Sequence, residues 1–139
     1  MNIKDVKDFN FKVKDGDLLQ MIIDQQHLLM RKYEEIERKK GIDSHSPVNV
    51  HTCRGQQRLK DIMWRVVEEI GEASNCLKNK PWKVHEVPTD VDHYQEELSD
   101  ALHFFIELLI TSGIDSADRV AALYYRKAKV NEFRQRSQY

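Results

Sequence analysis

Apolar side chains recur along most of this chain with a helical period and not with the alternation of strands. From about Asp17 to Lys40 the positions Leu18, Leu19, Ile22, Leu29, Tyr33 and Ile36 form one stripe, and Gly41 is placed to end that helix. A polar loop, "IDSHSPVNVHTCRG", separates it from a second helix predicted from about Gln57 to Lys78, with Leu59, Ile62, Met63, Val66, Val67, Ile70, Ala73 and Leu77 on one face. After "NKPWKVHEVP", Thr89 or Asp90 can cap a third helix. Its stripe of Leu98, Ala101, Leu102, Phe105, Ile106 and Leu109 is widened by Phe104, Leu108 and Ile110, so it should lie centrally or at a subunit interface. Gly113 ends it, and Asp115 or Ser116 caps a fourth helix through "ADRVAALYYRKAKVNEFRQ". The pattern predicts an all-α fold, a bundle of four main helices forming one domain over residues 1–139.

Composition narrows what such a bundle can do. A chain of 139 residues with formal charge −1 can bury a real core but carries no strong basic field, so no nucleic acid partner is expected. The apolar run near residues 101–110 is too short to span a bilayer and holds His103 and Glu107, so no membrane partner is expected either. "MNIKDVKDFNF" has no continuous apolar signal region, and two cysteines, Cys53 and Cys76, fit a reducing cytoplasm.

The charged positions near the stripes carry the chemistry. Measured from the middle of each stripe at about 100° per residue, Glu69 and Glu72 lie about 80° and 140° to one side of the second helix. Glu97 and Asp100 lie about 100° and 160° to the same side of the third. Both pairs are spaced i,i+3 at the edge of the core, although Glu68 and Glu96 offer an i,i+4 register with Glu72 and Asp100 instead. Acids commonly decorate amphipathic helices, but four that converge repel one another unless a cation sits among them. Hard oxygen ligands select Mg²⁺, with Mn²⁺ as a substitute, over zinc.

Other residues suggest a nucleotide. The fourth helix turns from Val120, Leu123 and Tyr124 to Lys127, Asn131 and Arg134 on one face, donors suited to phosphate oxygens or simply to the last turns of a terminal helix. Gln25 and Gln26 both fall inside the first stripe, where an amide is either a satisfied core group or a reader of a nucleobase edge. Trp82 in "KPWK" can stack on a planar ligand or cover the core, and Phe104 lies on the side of Glu97 where it can form an apolar wall.

Together these pieces resemble the all-α nucleoside triphosphate pyrophosphatases, especially the dimeric dUTPases and the tailed-phage dCTP/dUTP pyrophosphatases. The resemblance rests on "EEIGE" at 68–72, "KPWK" at 80–83, "EELSDALHF" at 96–104 and "YYRKAKVNEFRQRSQY" at 124–139. It implies that Glu69, Glu72, Glu97 and Asp100 are magnesium ligands, with Glu69 or Glu72 also orienting the attacking water. It further implies that Lys127, Asn131 and Arg134 contact phosphate, and that Trp82 and Gln25 or Gln26 face the nucleoside. The implied reaction takes a deoxynucleoside triphosphate, dUTP favoured and dCTP second, to the monophosphate and pyrophosphate. The implied unit is a homodimer or higher homo-oligomer in the cytoplasm of a bacterium or of a phage-infected host. The ending "RQRSQY" departs from the "RQDNGY"-like ending of that family by lacking its glycine.

Other readings compete. A pyrophosphatase for another nucleotide, of the MazG-like house-cleaning kind, would use the same acids. A ferritin-like di-metal oxidase could use Asp100 and His103 but lacks a second Glu-x-x-His. Zinc at His51, Cys53 and His85 fits no closed-site spacing. A non-enzymatic helical dimerisation module would explain the broad third helix but not the matched acid pairs. His103 points away from the acids and is expected as a hydrogen-bonded neighbour of the core or of a dimer seam.

Overall fold

The computed structural model describes residues 17–137, so the N-terminal segment and the last two residues of the "RQRSQY" ending lie outside it. Four helices follow in order: α1 (Leu18–Lys39), α2 (Cys53–Cys76), α3 (Val91–Thr111) and α4 (Ala117–Arg136). Each starts where a short polar side chain can satisfy a free backbone donor. Asp17, Thr52, Asp90 and Ser116 accept hydrogen bonds from the amides of Gln20, Gly55, His93 and Arg119. Gly41 and Gly113 follow the ends of α1 and α3 at φ 74° and 84°, the left-handed conformation that closes a helix.

α2 begins four residues before the expected Gln57, because Thr52 caps it and Gly55 lets its first turn approach the preceding loop. A Cβ on Gly55 would collide with the Asn49 carbonyl. The most extensive packing joins α2 to α3. Arg58 meets Glu107 near one end while Glu69 meets Glu97 further along, so the two helices run antiparallel. Leu59, Ile62, Val66, Glu69 and Ala73 line this seam on α2, and Glu97, Ala101 and Phe104 line it on α3.

α1 rests on α3 through Ile23, Met30, Ile106 and Ile110, joined by Ala117 at the start of α4. Gln20 Oε1 accepts from the Ala117 amide at 2.8 Å, tying α4 to α1 by its first turn. Among the described residues no helix is long and apolar enough to cross a membrane.

The broad apolar stripes prove to be two surfaces. In an antiparallel pair the residue after each seam position lies to one side of both helices, and the residue before it lies to the other. Met63, Val67 and Ile70 on α2 and Leu98, Leu102 and Phe105 on α3 occupy the first side and are exposed. The expectation that Met63, Val67 and Ile70 belong to the buried face of α2 is corrected, whereas the broad α3 stripe was expected centrally or at a subunit interface: periodicity identifies an apolar stripe but not the neighbour that covers it. The same correction applies to Leu18, Ile22, Tyr33, Ile36, Leu77, Leu123 and Tyr124, all exposed.

Candidate active site

The acids lie on the seam and on its other side. Glu97 is 6 % exposed, within the seam and not on its shoulder. Facing it across the helix pair is Glu69, and Asp100 follows one turn along α3. One carboxylate oxygen from each of Glu69, Glu97 and Asp100 lies within 4.8 Å of the others. Glu68 and Glu96 are not in this group, which has the i,i+3 register on α3. Glu72 lies one turn beyond Glu69, exposed and outside the group of three, yet close enough for its charge to act on Glu69.

Crowding has an electrostatic signature. Burial pushes the Glu69 carboxyl up to about 7, helped by its hydrogen bond to Glu97 and by the charges of Asp100, Glu72 and Glu97. His93, one turn before Glu97, places Nδ1 3.1 Å from Glu97 Oε1 and fixes that carboxylate from outside the group.

The donor set fits Mg²⁺. Around a six-coordinate magnesium with bonds of about 2.1 Å, ligand oxygens are about 3 Å apart when adjacent and about 4.2 Å when opposite. The three oxygens lie within 4.8 Å of one another, and a bound cation would offset the burial and the neighbouring negative charges that together raise the Glu69 carboxyl. Three hard oxygens without nitrogen or sulfur are not a zinc set.

Beside the acids, Glu72, Asn75, Cys76, Lys78, Asp90 and His93 line a cleft of about 500 Å³ between the end of α2 and the start of α3. The loop rising from its rim is closed by Asn79, whose amide donates to Val87 O at 3.0 Å and accepts from Val87 N at 2.8 Å. Trp82 sits in that loop and is 78 % exposed.

The remaining candidates scatter. Gln26 is buried against the core, whereas Gln25 is exposed, so the expectation that both lie inside the α1 stripe is corrected. Lys127, Asn131 and Arg134 face solvent along α4, which packs on α1 through its first turns, and they belong to neither the acid group nor the cleft. Phe104 is half-buried, and the Arg65 guanidinium lies 5.8 Å from its ring centroid. His103 is exposed and pairs through Nδ1 with its own helix at Ser99 O, 2.7 Å away. His51, Cys53 and His85 form no metal-ligating group among the described residues.

Sequence reasoning read Arg65 only as a surface i,i+4 partner of Glu69, and it missed His93 and a second buried polar group. In that group Arg58 lies 3.6 Å from Glu37 of α1 and 3.7 Å from Glu107, which is 8 % exposed. Burial pushes the Glu107 carboxyl up, and Arg58 opposes that shift. Glu107 had been visible only as an interruption of an apolar run, with no signal that α1 would bring an acid to the same arginine.

A family model described as dUTPase matches residues 17–119, which include all four candidate acids. No curated protein and no solved structure matches the chain.

Proposed function

Because the chain belongs to the dUTPase family, and is therefore an enzyme that hydrolyses nucleotides of the dUTP type, we propose that it converts dUTP, with dCTP as a second substrate, to the monophosphate and pyrophosphate in a Mg²⁺-dependent reaction. The observation that carries this reading is the convergence of Glu69, Glu97 and Asp100 oxygens within 4.8 Å. Those three carboxylates would hold the metal, and Mg²⁺, or Mn²⁺ in its place, would supply charge neutralisation for the triphosphate and a more acidic water. Glu72, beside the group and on the wall of the cleft, accepts the proton of the attacking water. The water oxygen bonds to phosphorus, the phosphoanhydride bond breaks, and its electron pair leaves with pyrophosphate. His93 keeps Glu97 in place throughout.

The nucleoside is assigned to the cleft, with Trp82 above its rim and the α1 glutamines more remote. Lys127, Asn131 and Arg134 are assigned to phosphate only when α4 closes over the site or a second copy brings its own α4 to it. A homodimer is supported by the exposed apolar side of the α2–α3 pair, opposite the acids.

Two measurements test the reading. Incubation with each dNTP and Mg²⁺ should release pyrophosphate, fastest from dUTP, and release of orthophosphate alone would overturn it. Glu97→Gln should abolish turnover with the helical circular dichroism unchanged. Wild-type activity in that variant would mean the ligand set is wrong.

A further inference from the structure

Arg65 is an exposed cation whose charge, with that of Arg58, opposes the upward shift of the Glu107 carboxyl, and which pairs with no acid at short range among the described residues. It precedes the seam position Val66, so it projects on the side of the helix pair that carries Asp100 and Glu72. Glu69 lies one turn after it on α2, and Phe104 lies one turn after Asp100 on α3. Residues so spaced have Cβ atoms about 5–6 Å apart, so the stem of Arg65 starts one turn from Glu69, and the ring its guanidinium reaches starts one turn from Asp100. An arginine four residues before a glutamate ordinarily pairs with it. Here the Glu69 carboxyl is turned to Glu97, and the guanidinium lies over the Phe104 ring at 5.8 Å from its centroid. Among the described residues Arg65 has no acidic partner within 4 Å.

An aromatic face holds a guanidinium by its plane and leaves the N–H edge free. That edge is a fork suited to two phosphate oxygens at once. The two ends of the acid group also differ in shape. Towards the end of α2 lies the cleft of about 500 Å³, within the ~300–1,000 Å³ typical of small-molecule sites. Towards Arg65 there is an exposed cation lying over an aromatic ring. A nucleotide with its base and sugar in the cleft and its α-phosphate at the acids therefore extends its remaining phosphates towards Arg65.

We propose that Arg65, held over the Phe104 ring, contacts the terminal phosphates of the bound nucleoside triphosphate and stabilises the departing pyrophosphate. This rests on the reading of the acid group and cleft given above. Arg65 is the catalytic residue of the pair and Phe104 its positioning residue. The guanidinium takes up the charge that reaches the bridging oxygen as the anhydride bond breaks.

The test is calorimetric binding of inorganic pyrophosphate and of dUMP, each with Mg²⁺, to wild type, Arg65→Ala and Phe104→Leu. Arg65→Ala should weaken pyrophosphate at least about tenfold, the loss expected for one charged hydrogen-bonding partner, and leave dUMP within about twofold. Phe104→Leu keeps an apolar side chain in the seam and should weaken pyrophosphate in the same direction by less. Equal pyrophosphate affinity in wild type and Arg65→Ala, no pyrophosphate binding by wild type, or equal losses for pyrophosphate and dUMP would each overturn the proposal. If wild type still releases pyrophosphate from dUTP, the failure belongs to Arg65 alone; if it cleaves no dNTP, the reading of the site has failed separately.

Discussion

Glu69 is the residue on which burial and the neighbouring acids act together. Its carboxyl, ordinarily near 4.5, is pushed up to about 7, so the folded protein binds a proton that the unfolded chain releases earlier. A raised folded value contributes stability that is fully present below about 4.5 and lost as pH rises through about 7. Glu107, also raised by burial, acts with the same sign. In the presence of a chelator, the melting temperature should fall across that window, and Glu69→Gln should remove part of the fall. Mg²⁺ should restore more stability at the upper end, because it binds the ionised carboxylates. A chelated wild-type protein whose melting temperature rises through the window would contradict this assignment. The acids themselves were legible in the sequence because two i,i+3 pairs shared one angular position. Their depth was not, since a helical wheel measures direction and says nothing of the helix that will face it. Arg65 was legible only as an ordinary i,i+4 partner of Glu69, because nothing in sequence spacing shows that Phe104 from another helix will lie beneath it.

At the scale of elements, each helix was recognisable by its period, and α3 and α4 also by the Asp90 and Ser116 side chains that cap them. The start of α2 was harder to read, because Thr52 and Gly55 act together through a loop contact. Thr52 Oγ1 donates to Asn49 O at 2.9 Å and accepts from the Gly55 amide at 3.0 Å, so the loop oxygen crowds the α carbon of Gly55. Gly55→Ala should therefore destabilise the protein by about 1–3 kcal/mol, the usual range for an overpacked site, despite the better helix propensity of alanine. Denaturant unfolding checks this, and a variant as stable as wild type would mean the loop yields easily. The apolar stripes of α2 and α3 were seen as single bands. Their division into a seam and an open side follows from antiparallel pairing, which no single-helix pattern contains.

For the whole molecule, the seam separates two tasks. Acids, Arg65 and the cleft occupy the seam and one side, and Met63, Val67, Ile70, Leu98, Leu102 and Phe105 lie open on the other. A contiguous apolar surface of that kind is what an obligate interface buries. Val67→Glu with Leu102→Glu should shift sedimentation from dimer to monomer, and a wild-type protein that sediments as a monomer at micromolar concentration would remove the dimer from the reading. Membership of the dUTPase family makes the purely structural helical module untenable, yet the surface that suggested it remains part of the molecule.

The Asn79 amide has a consequence of its own. By bonding both polar groups of Val87 with one side chain, it turns residues 79–87 into a ring closed without a covalent link. Loop-closure entropy for that segment is thus lost during folding and not on encounter with a ligand. Trp82 rides on this ring as a gemstone rides on a setting: its own side chain can still turn, but the backbone beneath it is already in place.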